Sequence, residues 1–117
     1  QKVYILGEVL RPKKINLSDI PLSLTDAIGE VNGLNNNTAD SSKVFIIRQN
    51  DNESDPRIII ADLSSSAGLL NGSKFFLKNN DVIYINAKGT TRWNRVISQF
   101  FPFTTFLNSI DNLSNNN

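Results

Sequence analysis

Two uninterrupted apolar runs, at residues 44–47 and 58–61, restrict the fold of this sequence more than any other feature. Each run is bounded by a charged residue on both sides. Successive side chains of a strand point to opposite faces, so a run without polar residues fits a strand that is buried on both faces. We therefore predict two central strands, with residues 50–56 forming an exposed hairpin loop between them.

One helix is predicted between the first strands of the chain and these central strands. Ser23 is suited to the N-cap, and Asp26 stands at the third helical position, where a capping box usually has Glu or Gln. Apolar residues then recur at helical spacing up to Val31, and Gly33 is placed to end the helix at its C′ position. Residues 35–42 are polar and are predicted to form a loop.

Four shorter β-rich runs complete the order of elements. A helical turn is predicted over residues 64–70, with Leu69 and Leu70 tucked beneath the sheet. The resulting order, β-β-α-β-β-(turn)-β, places one helix across a mixed sheet and predicts an α+β fold with a β-grasp-like arrangement. The four short runs cover residues 3–6, 14–17, 75–77 and 82–85, and the last two are the final strands predicted in the domain.

Composition excludes several classes of function. The chain of 117 residues contains no Cys and no His, which removes thiol nucleophiles, Cys/His zinc sites, disulfides and Ser-His-Asp triads. No acid–base pair stands out, so we predict that the chain is not an enzyme and needs no cofactor or metal. A formal net charge of +1 gives no strong attraction to nucleic acid or to anionic lipid. Because Met is also absent, we expect a fragment of a longer protein.

Two positions in the predicted domain have local explanations. Gly7 ends a strand and is expected to serve backbone geometry there, with Glu8 beside it as a less favoured candidate for a subunit contact. Asp81 precedes the last strand and is expected to support a turn through a local side-chain hydrogen bond.

The chain changes character after residue 90. Residues 96–110 contain no charged residue but eight large apolar ones, four of them Phe. At about 100° per residue the apolar and polar positions segregate onto two sides of a helix. The apolar side comprises Trp93, Val96, Ile97, Phe100 and Phe101, and the polar side comprises Arg92, Asn94, Arg95, Ser98 and Gln99. The pattern predicts a C-terminal amphipathic helix over residues 90–117.

Pro102 divides this helix. Beyond it the segregation continues with Phe103, Phe106 and Leu107 on the apolar side, but the direction of that side changes by roughly 110° in an ideal helix. Proline removes one helical hydrogen bond and disfavours helical geometry at the residue before it. We therefore predict a kink or a short break at Pro102.

Three placements of the amphipathic helix remain open from its composition. It is too interrupted by polar residues to cross a membrane alone. It can pack on the domain's own sheet, as most amphipathic helices do, or lie on a membrane surface, although basic residues stand only at its start. It can also stand in a ring of helices with lipid outside and water inside. Trp93, flanked by Arg92 and Arg95, suits a membrane–water interface.

Several stretches of the sequence resemble a known family. The run Arg-Trp-Asn-Arg-Val-Ile-Ser-Gln at residues 92–99, followed by Pro102, resembles the start of the C-terminal helix of the Wza-like outer-membrane polysaccharide export (OPX) family. The resemblance covers about residues 2–103, and the sequence after Pro102 departs from the family pattern. The stretches that resemble an SLBB module, a soluble-ligand-binding β-grasp, are residues 2–9, 24–28, 33–34, 44–49 and 81–85.

The resemblance implies a specific architecture and function. Residues 1–89 would be the last SLBB module, in the periplasm, and residues 90–117 would be a segment of an α-helical barrel in the bacterial outer membrane. Members of the family form ring-shaped homo-oligomers, usually octamers, and export capsular polysaccharide or exopolysaccharide through the pore without catalysis. An inner-membrane polysaccharide co-polymerase, which is a tyrosine autokinase, would dock from below.

The same resemblance implies roles for individual residues of the C-terminal helix. Pro102 would kink the helix, and Ser98 and Gln99 would face the lumen, where they could bind sugar hydroxyls weakly. The membrane-interface residues would be Trp93, Arg92 and Arg95, and the lipid-facing residues would be Val96, Ile97, Phe100 and Phe101.

Two other functions remain open. The chain could be a stand-alone periplasmic β-grasp module that binds a glycan or another soluble ligand, although its β-grasp portion offers Tyr4 and Tyr84 but no Trp as sugar platforms. It could instead be a scaffold domain that binds a partner through a sheet edge.

Overall fold

The computed structural model describes residues 1–11, 13–31, 33–49, 56–89 and, for the backbone, 110–112. In these ranges the chain forms six strands and two helices. In chain order they are β1 (Lys2–Gly7), β2 (Lys13–Asn16), α1 (Leu24–Glu30), β3 (Ala39–Arg48), β4 (Arg57–Ala61), α2 (Ser66–Ser73), β5 (Val82–Ala87) and β6 (Ile110–Asn112).

The strands form one mixed sheet in the order β2-β1-β5-β3-β4-β6. The first and the fifth strand run parallel in its middle, with Tyr4 opposite Val82 and Gly7 opposite Ile85. The β1–β2, β3–β4 and β3–β5 pairs are antiparallel, and β4–β6 is parallel. The predicted α+β fold is therefore confirmed, with one helix across a β-grasp-like sheet.

The main core lies between the sheet and α1, on what we call the front face. Alternate residues of each strand point toward it, because the side-chain period of a strand is two. Its fully buried members from β1, β3 and β5 surround Leu24 and Ala27 of α1. They are Val3, Ile5, Val44, Ile46, Ile83 and Ile85. The intervening residues of the same strands point to the opposite, rear face.

Helix α1 begins as its sequence predicts. The Ser23 Oγ accepts a hydrogen bond from the Asp26 backbone N–H (3.0 Å), and the Asp26 carboxylate accepts one from the Ser23 N–H (3.3 Å). Both halves of a capping box are thus present. The helix ends with Val31 as C-cap, and Gly33, with a φ of 86°, donates from its N–H to the Ile28 carbonyl. Gly33 therefore lies one position farther from the helix than predicted.

The prediction that Leu69 and Leu70 lie beneath the sheet is wrong. The segment is a two-turn helix, α2, in which these leucines are 42% and 57% exposed while Gly68 and Gly72 are buried. An added Cβ at Gly72 would overlap the Thr25 hydroxyl, so the two glycines allow α2 to approach the chain closely. Thr25 donates from that hydroxyl to the Leu69 carbonyl (2.8 Å). The glycine side therefore faces inward and the leucines face out.

Two further strand boundaries differ from the predictions. Residues 75–77 form no strand of the sheet, because they pair with the chain entering α1: Leu24 donates to the Phe75 carbonyl and Leu77 to the Leu22 carbonyl, both at 2.9 Å. The polar loop predicted up to residue 42 is too long, since β3 already begins at Ala39. A register shift follows Ala39, which lets the half-exposed polar residues there join the strand.

Residues 110–112, which the sequence pattern assigns to the amphipathic helix, form a strand. Ile110 lies opposite Ile58 and Asn112 opposite Ile60, so β6 extends the sheet beyond β4. An edge strand presents unpaired backbone N–H and carbonyl groups, and pairing with β6 satisfies them on β4. For these residues the helix prediction is wrong; the remainder of the predicted helix lies outside the described residues.

A buried ion pair ties the start of β5 to the end of β3. Asp81 is completely buried, and its carboxylate accepts two hydrogen bonds from the Arg48 guanidinium, Nε to Oδ1 at 3.1 Å and Nη2 to Oδ2 at 2.9 Å. The Lys78 backbone N–H also donates to Oδ2 (2.8 Å), which confirms the predicted local turn. The guanidinium further donates to the Phe76 carbonyl (3.1 Å) and lies 4.9 Å from the centroid of the Phe75 ring.

Gly7 occupies a position where the backbone of β1 comes very close to β5. Its φ of 93° lies in the left-handed region, and an added Cβ would overlap the backbone of Ile85. The next residue, Glu8, then donates from its N–H to the Ile85 carbonyl (3.0 Å). The predicted geometric role of Gly7 is thus confirmed.

We expect Asp81→Ala to lower the free energy of unfolding by about 3 kcal/mol, because it leaves the Arg48 guanidinium largely buried without its carboxylate. Asp19→Ala, at an exposed carboxylate, should change it by less than about 0.5 kcal/mol. The double change Arg48→Met with Asp81→Leu should destabilise less than Asp81→Ala alone. Urea unfolding measures all three, and equal costs for Asp81→Ala and Asp19→Ala would contradict the structural role.

Gly7→Ala should destabilise the fold by more than about 2 kcal/mol, since alanine is strained at positive φ and its Cβ would meet Ile85. The matched control is Gly29→Ala, because Gly29 lies in α1 with open space around the added Cβ. There alanine should stabilise the helix by about 0.5–1 kcal/mol. Thermal unfolding of the two variants should shift in opposite directions; shifts of the same sign would refute the difference.

Candidate functional surfaces

The residues to which the sequence assigns membrane and lumen roles lie outside the described residues. The structure therefore does not test their placement, and their roles stay predictions. They are Arg92, Trp93, Arg95, Val96, Ile97, Ser98, Gln99, Phe100, Phe101 and Pro102. The surfaces that the structure does describe are the rear face of the sheet and a groove beside α1.

The rear face consists of two rows of side chains that run across the sheet from β2 or β1 toward β4. The strand registers define both rows. The first row is Lys14, Tyr4, Val82, Ile47 and Ile58, and the second is Leu6, Tyr84, Phe45 and Ile60. The apolar residues nearest β4 pack together as a second cluster, separate from the main core. The sequence runs at 44–47 and 58–61 thus supply both faces of the sheet, as predicted.

Burial changes steeply along the rear face. On β1, Leu6 is 41% exposed, whereas Phe45 on β3 is 1% exposed and Ile58 on β4 is fully buried. Tyr4, Tyr84 and Val82 between them are half-buried. The β3–β4 half of this face is therefore buried, and the β1–β2 half is open to solvent.

The open half brings together the two tyrosines of the β-grasp portion. Tyr4 and Tyr84 lie on neighbouring parallel strands and share the rear face, with the exposed Lys14 opposite Tyr4 in the register. Half-buried aromatic rings beside a lysine can stack on a sugar or contact an anionic group. Their shared face could have been found from the sequence, because each tyrosine alternates with buried isoleucine or valine neighbours.

A groove runs beside α1 along the segment that leads into it. It has a volume of about 620 Å³, and its lining includes Ile20, Pro21, Thr25 and Gly29. Ile20 is 76% exposed, and Asp26 and Glu30 also border the groove. The Asp26 carboxylate already accepts from the Ser23 N–H. The groove offers a mixed polar and apolar wall, and its two charged side chains, Asp26 and Glu30, are both acidic.

The carboxylates with described hydrogen bonds serve local structure. Asp81 binds Arg48, Asp26 completes the capping box, and Asp62 accepts from the Ser64 N–H at 2.9 Å. Within the part of the chain that the structure describes, no three His, Cys, Asp or Glu residues come together as metal ligands.

Among the described residues, neither helix has the length and apolar content needed to cross a bilayer.

Comparison with known proteins gives two kinds of similarity. The family model described as SLBB domain matches residues 1–85. The chain is 35% identical over 104 residues to the EPS I polysaccharide export outer membrane protein EpsA of Ralstonia solanacearum, covering 89% of this chain and 27% of that protein. It is 28% identical over a 130-residue alignment to the capsule polysaccharide export outer membrane protein CtrA of Neisseria meningitidis serogroup A, covering 94% of this chain and 34% of the relative.

The chain thus spans about a quarter to a third of the length of the curated relatives that it matches. The predicted resemblance to outer-membrane polysaccharide export proteins is confirmed by these similarities. The family match covers β1 to β4, both helices and the first part of β5. On that match the chain belongs to the SLBB domain family.

Proposed function

We propose that this chain is the part of an outer-membrane polysaccharide export protein that joins a periplasmic SLBB module to a pore-forming helix. The observation that carries the proposal is the extent of similarity to EpsA. The SLBB match ends at residue 85, whereas the similarity to EpsA covers 89% of the 117-residue chain. It therefore includes residues beyond the β-grasp sheet, where the amphipathic pattern begins.

In the proposed arrangement, residues 1–89 stand in the periplasm of a Gram-negative cell, and the segment from residue 90 up to the start of β6 contributes to the outer-membrane barrel. Trp93 lies at the membrane–water interface with Arg92 and Arg95, and Pro102 kinks the helix. The face with Val96, Ile97, Phe100 and Phe101 contacts lipid. A ring of such helices can cross the bilayer, because each helix satisfies its own backbone hydrogen bonds while its polar side faces water.

The transported substrate is a capsular polysaccharide or exopolysaccharide, and the protein is not an enzyme. Asp26, Asp62 and Asp81 are used by a helix cap, a turn and the Arg48 ion pair, which fits a structural part of a transporter. The parent protein would assemble as a homo-oligomer, an octamer by family resemblance, above an inner-membrane polysaccharide co-polymerase with tyrosine autokinase activity. Ser98 and Gln99 would line the lumen.

A second function, glycan binding by the module itself, is favoured by one observation. Tyr4 and Tyr84 share the open half of the rear face, with Lys14 at its margin. In the pore, such a surface could hold the polymer below the barrel. In a stand-alone module it would be the whole function.

Removal of everything after Gly89 from the full-length parent should abolish surface polysaccharide, because the pore then lacks its membrane-crossing part. Detergent-extracted parent protein should form rings, and the shortened protein should no longer open a channel in lipid bilayers. Polysaccharide should accumulate in the periplasm.

The double change Tyr4→Ala with Tyr84→Ala is the matched test of glycan binding. If the shortened parent exported polysaccharide normally, and only the double variant lost sugar binding, the result would favour the stand-alone module.

The absence of Cys from this chain allows the two sides of the helix to be compared by thiol labelling. In the assembled parent, Ser98→Cys should react with a membrane-impermeant maleimide at least about tenfold faster than Ile97→Cys, because only the thiolate in water is reactive. Gln99→Cys and Phe100→Cys form a second matched pair. Equal rates within both pairs would contradict the proposed lumen and lipid sides.

A further inference from the structure

The β3–β4 half of the rear face is buried although no described element lies over it. Ile58 and Phe45 are 0% and 1% exposed, and Ile47 is 6% exposed. Neighbouring strands shield only the flanks of a side chain on a sheet, so exposure this low requires chain above the face. α1 packs on the front face, and α2 contacts α1 there through Thr25. The cover must come from elsewhere.

We propose that the rear face is the docking surface of the chain's own amphipathic segment, residues 93–107, when the protein is not assembled in a membrane. Outside the described ranges, residues 50–55 are all polar or charged, and residues 113–117 contain one apolar residue. The apolar side chains that can cover Phe45, Ile47 and Ile58 are therefore those between Trp93 and Leu107.

Strand directions place this segment on the rear face. β5 and β6 are parallel, since β3 is antiparallel to β5, β4 is antiparallel to β3 and β6 is parallel to β4. The 22 residues from position 88 to position 109 join them, so they form a crossover that passes β3 and β4. A crossover between parallel strands must run over one face of the sheet.

The hand of crossovers then selects the face. α1 lies in a crossover from β2 to β3, two strands that are also parallel, and it moves across the sheet in the same direction as the β5–β6 connection. β2 and β5 run in opposite directions, however. Crossovers of this kind are right-handed in about 98% of cases. When two right-handed crossovers move across a sheet in the same direction but start from strands that run in opposite directions, they lie on opposite faces. Because the crossover that contains α1 lies on the front face, the β5–β6 crossover lies on the rear face.

The dimensions of the segment also fit. From β5 to β6 the chain moves by three strand spacings, or about 14 Å. It must also return along a strand of six residues, about 20 Å. Residues 93–107, as two helical pieces that meet at the predicted kink at Pro102, would together be about 22 Å long. The apolar sides of the two pieces, brought into line by the kink, can thus lie along the two apolar rows of β3 and β4.

This docking has a consequence that rests on the proposed function. The apolar side of residues 93–107 can contact the rear face or lipid, but not both. Entry into the barrel would therefore require release from the sheet, and the unassembled protein would keep its membrane segment covered in water.

The chain supplies its own reporters for this proposal. Trp93 is its only Trp, and Arg92 and Arg95 are the only Lys or Arg residues after Lys88. In the monomeric full chain, in buffer without detergent, we expect Trp93 emission at short wavelength and slow tryptic cleavage at both arginines. Ile60→Asp, at the docking half, should shift the emission to longer wavelength and accelerate cleavage by about tenfold. Leu6→Asp makes the same change on the open half and should have little effect.

A second matched pair avoids changes to the sheet. Phe101→Asp, on the apolar side of the segment, should have the same effect as Ile60→Asp, and Gln99→Asp, on its polar side, should not. Cleavage that is fast in the unchanged chain, or equally slow in Phe101→Asp and Gln99→Asp, would overturn the docking. The measurement needs no membrane, so its failure is distinct from failure of the pore, which is read as ring assembly and export by the full-length parent.

Discussion

The pairing of Arg48 with the fully buried Asp81 is the interaction on which the centre of the sheet depends. Asp81 stands where the chain enters β5, and its backbone carbonyl accepts a hydrogen bond from the N–H of Tyr4 in β1 (2.9 Å). Arg48 ends β3 on the other side of β5. One residue thus fixes the relative positions of three neighbouring strands, because its carboxylate binds Arg48 of β3 and its backbone carbonyl binds Tyr4 of β1. The parallel β1–β5 pair has no hairpin to set its register, so this anchor and the close approach at Gly7 set it instead.

The two-sided strands that this anchor positions create a second requirement. β3 and β4 carry large apolar side chains on both faces, and α1 covers only one of them. An open sheet with Phe45, Ile47 and Ile58 in water would expose a contiguous apolar patch, which soluble proteins rarely tolerate. Likewise, β4 without β6 would be an unpaired edge. In the proposed docking, the chain that follows β5 completes this sheet.

Local signals in the sequence were sufficient for much of the fold. The capping box at Ser23 and the apolar runs of β3 and β4 act over a few residues, and both were predicted correctly. Helical periodicity does not predict which side of α2 faces inward, because Gly68 and Gly72 face inward only where another segment approaches closely. The Arg48–Asp81 pair joins residues 33 positions apart, and the β4–β6 pair joins residues about 50 apart. Such contacts depend on the order and direction of the strands in the sheet, which the spacing of apolar residues along the sequence does not predict. The candidate membrane residues rest on amphipathic periodicity and family resemblance, and they lie outside the described residues.

The amphipathic pattern after residue 90 sets a free-energy competition between two apolar partners. In water, burying large side chains such as Phe100 and Phe101 against the sheet contributes about 1.5–3 kcal/mol each. In a bilayer that contribution largely disappears, because lipid tails are as apolar as the rear face. The polar residues of the segment then decide the outcome. A lone helix in lipid would leave Ser98 and Gln99 without water, whereas a ring of helices would place them in contact with water again. Release of the segment should therefore be favourable only when several copies assemble together, which couples oligomerisation to membrane entry.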